Sequence, residues 1–139
     1  MKKILEQIPY LQLHELALIE AGAGTARLGL RKRKEMTNHL GIIHAGALYT
    51  LAETATGVAA QGAVTESVIL LRRGEIHYRR PARDDVTASA HSEPAAIEEA
   101  REQFEAAGRA DLSMEVAATV SDGTIVFDGV FEYALRPRN

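Results

Sequence analysis

Asn38-His39-Leu40-Gly41-Ile42-Ile43-His44-Ala45-Gly46-Ala47-Leu48-Tyr49-Thr50-Leu51-Ala52-Glu53 is the stretch on which the fold turns. It opens as a polar loop and runs without a break into a segment where Leu48, Leu51, Ala55, Val58 and Gly62 recur at three- and four-residue steps. That is the spacing of one helical stripe, and it predicts a helix from Gly46 to about Gly62. Alanine and glycine make this helix thin, so it can lie close against a sheet. The face opposite the stripe carries Tyr49, Thr50, Glu53, Thr54, Thr56 and Gly57, polar but without the lysines and arginines of a solvated face. It is expected to look into a cleft or onto a partner subunit.

On both sides of this helix the period changes from 3.6 to 2. Ala110, Leu112, Met114, Val116, Ala118 and Val120 alternate with polar or small residues, Asp122-Gly123 supplies a hairpin dipeptide, and Ile125, Phe127, Gly129, Phe131, Tyr133 and Leu135 resume the alternation. Val86, Ala88 and Ala90 form a shorter strand, Ile76 and Tyr78 another ending before Pro81, and Ala26, Leu28 and Leu30 a third. A short helix from Pro94 through Phe104 reads as a solvated connector. Five or six mostly antiparallel strands with one central helix give an α+β class, in which the sheet must wrap the helix to bury it.

The chain has 139 residues, 46% of them hydrophobic, which suits one domain over 1–139 with its own core. It contains no cysteine, so disulfides, thiolate metal ligands and a cysteine nucleophile are excluded. A net charge of -3 argues against nucleic acid as a partner. No apolar run is long enough for a membrane span, and the opening residues lack a secretory signal pattern, so a cytoplasmic protein without membrane association is expected.

Between Gly41 and Thr65, Glu53 is the only side chain charged at neutral pH, His44 apart. Burial would raise its pKa and poise it as a base or nucleophile. A structural glutamate paired with an arginine, or one exposed at a helix edge, fits the spacing equally well. Upstream, the small residues Ala45 and Gly46 sit where the first backbone N–H groups of the helix lack acceptors, so a developing oxyanion could bind there.

The register Asn38-x-x-Gly41-x-x-His44-Ala45-Gly46 through Glu53 resembles the signature of the hot-dog-fold thioesterases of the PaaI type, and a less characterised bacterial branch of that superfamily. Tyr78-Arg79-Arg80-Pro81-Ala82 is similar to the family's strand ending in an aromatic, Arg-Pro and a small residue. The resemblance implies a hot-dog fold and acyl-CoA thioesterase activity, with no metal or other cofactor. It implies that Glu53 activates water or attacks the thioester carbonyl and that the Ala45 and Gly46 amides hold the oxyanion. Asn38 would orient water or carbonyl, and His44 would shape the loop or contact the thioester. Gly57 stands where some relatives carry a threonine or serine, which leaves Thr54 and Thr56 as the nearby hydroxyls.

The resemblance further implies a homodimer or homotetramer with sites shared between subunits, acting on acyl-CoA or acyl-pantetheine. Arg80 or Arg83 would meet the phosphates, ahead of Arg72, Arg73, Arg79 and the Arg31–Lys34 run. Tyr49, Leu48, Leu51, Phe127 and Phe131 would line the acyl tunnel, with Thr54 beside it. Two other readings stand: a hot-dog 3-hydroxyacyl dehydratase using His39, although its Phe-Pro and Pro-Gly elements are missing, and an acyl-CoA-binding domain without catalysis.

Overall fold

The computed structural model describes residues 2–138. In chain order it comprises α1 (Lys2–Glu6), β1 (Ala17–Gly22), β2 (Thr25–Leu30), α2 (Ala45–Ala63), β3 (Ser67–Tyr78), β4 (Val86–His91), α3 (Pro94–Ala107), β5 (Ala110–Thr119) and β6 (Ile125–Pro137). Single 3-10 turns occur at Pro9–Leu11 and Lys34–Met36. The six strands form one sheet in the order β1-β2-β4-β5-β6-β3, and every neighbouring pair is antiparallel.

The central helix packs against all six strands, so the sheet wraps it as the periodicity requires. Its alanines make this possible: Leu51, Ala52, Ala55, Ala59 and Ala60 are fully enclosed. At Gly62 a Cβ would stand 2.3 Å from the Gly22 carbonyl oxygen, so this end of α2 lies directly on the β1–β2 turn. Facing the helix are Leu28, Leu30, Met114, Phe127, Phe131 and Leu135, all buried. The α+β expectation holds.

Three details differ from the expectations. First, the β5–β6 connection is not a two-residue hairpin. The Val120 N–H donates to the Thr124 carbonyl at 3.1 Å and the Gly123 N–H to the Val120 carbonyl at 3.0 Å, with Gly123 at φ +87°. The register slips beside Thr119, which turns Ile125 outward and buries Val126. Second, α3 is more than a solvated connector. Ile97 and Ala100 are buried, and the Arg101 Nε donates to the Ala63 carbonyl at 2.7 Å, satisfying an acceptor at the C-terminal end of α2. Third, β1 occupies a sheet edge with almost every residue exposed, which is why it shows no apolar alternation.

The segment ahead of β1 lies across α2. The Tyr10 hydroxyl meets Thr50 Oγ at 3.2 Å, and Arg33 donates to the Leu13 carbonyl while pairing with Glu15 at 2.9 Å.

Candidate active site around Glu53

The start of α2 is built by its own loop. His44 is the N-cap, and its Nδ1 accepts from the Gly46 N–H at 2.7 Å. Its carbonyl accepts from Ala47 and Leu48 at 3.0 and 3.1 Å. The Gly46 amide is therefore occupied by the cap and is not a free oxyanion donor, which corrects the expectation for Gly46. The same bond makes the His44 ring the cap of this helix. The Ala45 N–H precedes the first intrahelical donor and meets no acceptor among the described residues.

Asn38 shapes the same loop. Its Oδ1 accepts from the Leu40 N–H at 2.9 Å, and its backbone N–H donates to the Ile42 carbonyl at 2.9 Å. Gly41, at φ +74°, provides the left-handed residue that this tight turn needs. Tyr78, at the end of β3, donates its hydroxyl to the Ala45 carbonyl at 3.0 Å. Asn38, Ile42, Ala45, Leu48, Tyr78 and Arg80 thus border one hollow of about 260 Å³.

Glu53 opens into a different one. A hollow of about 400 Å³ runs along Glu53, Thr54, Gly57, Val58 and Gln61 of α2, with Ile69 of β3 opposite and the residues around α1 above. Glu53 is half-buried, and desolvation by this apolar surround pushes its carboxyl above the ordinary value of 4.5. No arginine, lysine or hydrogen-bond donor meets its side chain among the described residues, so the ion-paired structural glutamate is not what the fold builds. The backbone beneath it is fixed, because the Tyr133 hydroxyl donates to the Glu53 carbonyl at 2.9 Å and lies 2.8 Å from Thr56 Oγ. Burial pushes the Tyr133 phenol far above its ordinary pKa, which keeps it a donor.

Ala45 and Glu53 are eight residues apart, about 12 Å of helix rise. One chain therefore places the Ala45 amide and the Glu53 carboxylate in separate hollows. Thr54 lines the Glu53 hollow, with its Oγ donating to the Thr50 carbonyl at 2.7 Å. Tyr49 lines neither: its ring lies 5.3 Å from that of Phe131, over Gly74, where a Cβ would collide with its hydroxyl. Leu51, Phe127 and Phe131 are core residues, fully enclosed, and do not line a tunnel. Arg80 borders the Asn38 hollow, whereas Arg83 is exposed and borders neither. Arg72 and Arg79 are paired with Asp111 and Asp128 at 3.4 and 2.9 Å. His39 is exposed in the loop.

Two contributors escaped the sequence reading. Tyr133 looked like one more inward strand residue. The segment around α1 carried a signal, Ile4, Leu5, Ile8 and Leu11 at helical spacing, which marks an apolar face needing cover. A third grouping, His91, Glu93 and Glu115, has its potential ligand atoms within 4.8 Å of one another, but all three are exposed and none borders Glu53.

Residues 2–135 match the model of a family described as a domain of unknown function, DUF4442. No curated protein matches the chain. Among solved structures, a protein of unknown function from Pseudomonas aeruginosa, described as a probable thioesterase, is 27% identical over 96% of this chain and 91% of that one, with a TM-score of 0.83. A thioesterase family protein from Silicibacter pomeroyi is 17% identical over 99% and 96%, with a TM-score of 0.80. A variant of a thioesterase enzyme from Staphylococcus aureus is 16% identical over 92% and 98%, with a TM-score of 0.75. The wrapped sheet and central helix are those of the hot-dog thioesterase structures. Among the described residues no helix is long and apolar enough to cross a membrane.

Proposed function

The chain belongs to the DUF4442 family, and from that premise we propose that it hydrolyses acyl thioesters of coenzyme A or a pantetheine carrier, in the manner of the PaaI-like branch. Glu53 carries the reading. It is a lone carboxylate, half-buried in an apolar hollow and without a cationic partner among the described residues, which is the environment that raises a carboxyl toward the working range of a general base.

In the reaction, Glu53 takes a proton from water as the oxygen adds to the carbonyl carbon, or adds directly to form an anhydride that water then opens. The carbonyl oxygen becomes an oxyanion held by the Ala45 N–H, and collapse expels the thiolate, which is then protonated. Since Ala45 and Glu53 of one chain face different hollows, the oxyanion donor comes from a second copy. The cytoplasmic enzyme is then a homodimer, or a tetramer built from dimers, with its α2 helices side by side. Asn38 keeps that loop in shape, and Arg80, which borders the same hollow, meets a phosphate of the carrier.

Thiol release from acyl-CoA substrates by wild type, Glu53→Gln and Asn38→Ala tests this. Glu53→Gln is expected to lower kcat on the order of 10²–10⁴-fold, the span of general-base catalysis. Hydrolysis that survives Glu53→Gln unchanged would remove Glu53 from the mechanism.

A further inference from the structure

The hollow beside Glu53 has a direction. Its helical wall is Glu53, Thr54, Gly57, Val58 and Gln61, a stripe stepping two turns toward the C-terminal end of α2. Gly57 keeps the middle of that wall flat, because any Cβ there would already touch Ile69 Cδ1 at 3.4 Å. The roof is Ile4, Leu5, Ile8, Tyr10 and Leu11, held down where Tyr10 meets Thr50 and Arg33 grips the Leu13 carbonyl.

Glu53 apart, the hydrogen-bond donors along this groove are spent. Thr54 Oγ donates to the Thr50 carbonyl, and the Gln61 amide nitrogen donates to the Ser67 carbonyl at 2.7 Å. Thr50 Oγ donates its proton to the Gly46 carbonyl, so in the Tyr10–Thr50 pair it is Tyr10 that donates. No arginine, lysine or histidine lines the hollow. A ligand group bearing a carboxylate would find neither a donor nor a cation there and would face Glu53. An apolar chain requires nothing more than the aliphatic walls already present.

We propose that this groove is the acyl-chain site, roofed by residues 4–11, and that it selects a neutral aliphatic acyl group of medium length. The proposal rests on the thioester reading above and names its substrate class. From Glu53 to Gln61 the helix rises about 12 Å, the reach of an acyl chain of roughly eight to ten carbons. The roof residues are then specificity determinants, and a second copy is not needed to form this part of the site.

The test is a chain-length series from acetyl- to palmitoyl-CoA, with succinyl-CoA and phenylacetyl-CoA beside it, for wild type, Ile8→Trp and Gly57→Ala. S-alkyl-CoA thioethers of the same lengths are titrated by calorimetry. Each added methylene is expected to raise kcat/KM and thioether affinity about fourfold until the groove is full at roughly eight to ten carbons, after which both level off or fall. Ile8→Trp fills the roof from an exposed position and Gly57→Ala narrows the floor, so both move the break to shorter chains. A flat series, a preference for succinyl-CoA or phenylacetyl-CoA, or a break that neither variant moves would overturn the proposal. So would a change of oligomeric state in Ile8→Trp without any change in chain-length profile, since the hollow would then be covered by a second copy. Length-graded thioether binding without thiol release would sink the hydrolytic reading and leave the acyl site standing. Rapid Glu53-dependent hydrolysis that ignores chain length would do the reverse.

Discussion

Gly57 and Gly62 lie five residues apart on α2, and replacing each with alanine should change stability in opposite directions. In a helix interior the substitution contributes about 0.8–1.0 kcal/mol of stabilisation, because alanine gives up less backbone entropy on folding. At Gly57 the new methyl would meet Ile69 Cδ1 and the Tyr133 hydroxyl oxygen, both at 3.4 Å, which is near ordinary contact. The propensity gain survives, and Gly57→Ala should be more stable by about 0.5–1 kcal/mol. At Gly62 the methyl would stand 2.3 Å from the Gly22 carbonyl oxygen and 3.3 Å from its carbon. Relief requires about 1 Å of movement of a backbone that is itself locked, since Gly22 pairs with Thr25 in the β1–β2 ladder. Overpacking of this kind costs about 1–3 kcal/mol, which offsets or outweighs the propensity gain, so Gly62→Ala should lose up to about 2 kcal/mol. Urea unfolding of the three proteins reads both signs directly, and in heat the two variants should part by several degrees. If Gly62→Ala proved as stabilising as Gly57→Ala, the close seating of α2 on the β1–β2 turn would be wrong.

Two further outcomes follow from the site. Because burial raises the Glu53 carboxyl, the folded chain holds that proton more tightly than the unfolded one. Its contribution is fully present below the ordinary value of 4.5 and is lost as pH climbs through the raised one, so Glu53→Gln should match wild type near about pH 4 and exceed it near about pH 8. A difference in unfolding free energy that stays constant across that range would contradict the desolvation account. His44→Ala removes the acceptor for the Gly46 N–H and should cost about 1 kcal/mol, which His44→Asn should largely restore, as urea melts would register.

Periodicity made most of the fold legible. The helix expected from Gly46 to about Gly62 runs from Ala45 to Ala63, and the alternation from Ala110 to Ala118 is the inward face of β5. What escaped was whatever depends on a neighbour outside the local pattern. Ile125 points outward because a register slip lies next to it, and β1 is invisible to an alternation test because a sheet edge exposes both faces. At the site, the isolation of Glu53 in sequence foreshadowed its isolation in space. The sequence could not show that Gly46 is occupied by the His44 cap, nor that Tyr49 lodges over Gly74. Hydrogen-bond partners and steric vacancies belong to the assembled fold, and a motif alone does not report them.

The strand order has a kinetic consequence. β3 finds its neighbour only in β6, so every pair along that seam, from Tyr78 with Phe127 to Ser67 with Pro137, joins residues roughly 50 to 70 apart in sequence. Closing loops on that scale, as the β2–β4 seam from Thr25 with His91 to Leu30 with Val86 also must, slows folding relative to a sheet of local hairpins. The inner faces of β3 and β6, with Phe131, Tyr133 and Leu135 among them, gain their final cover only when these distant seams close, and that interval is when aggregation competes with folding.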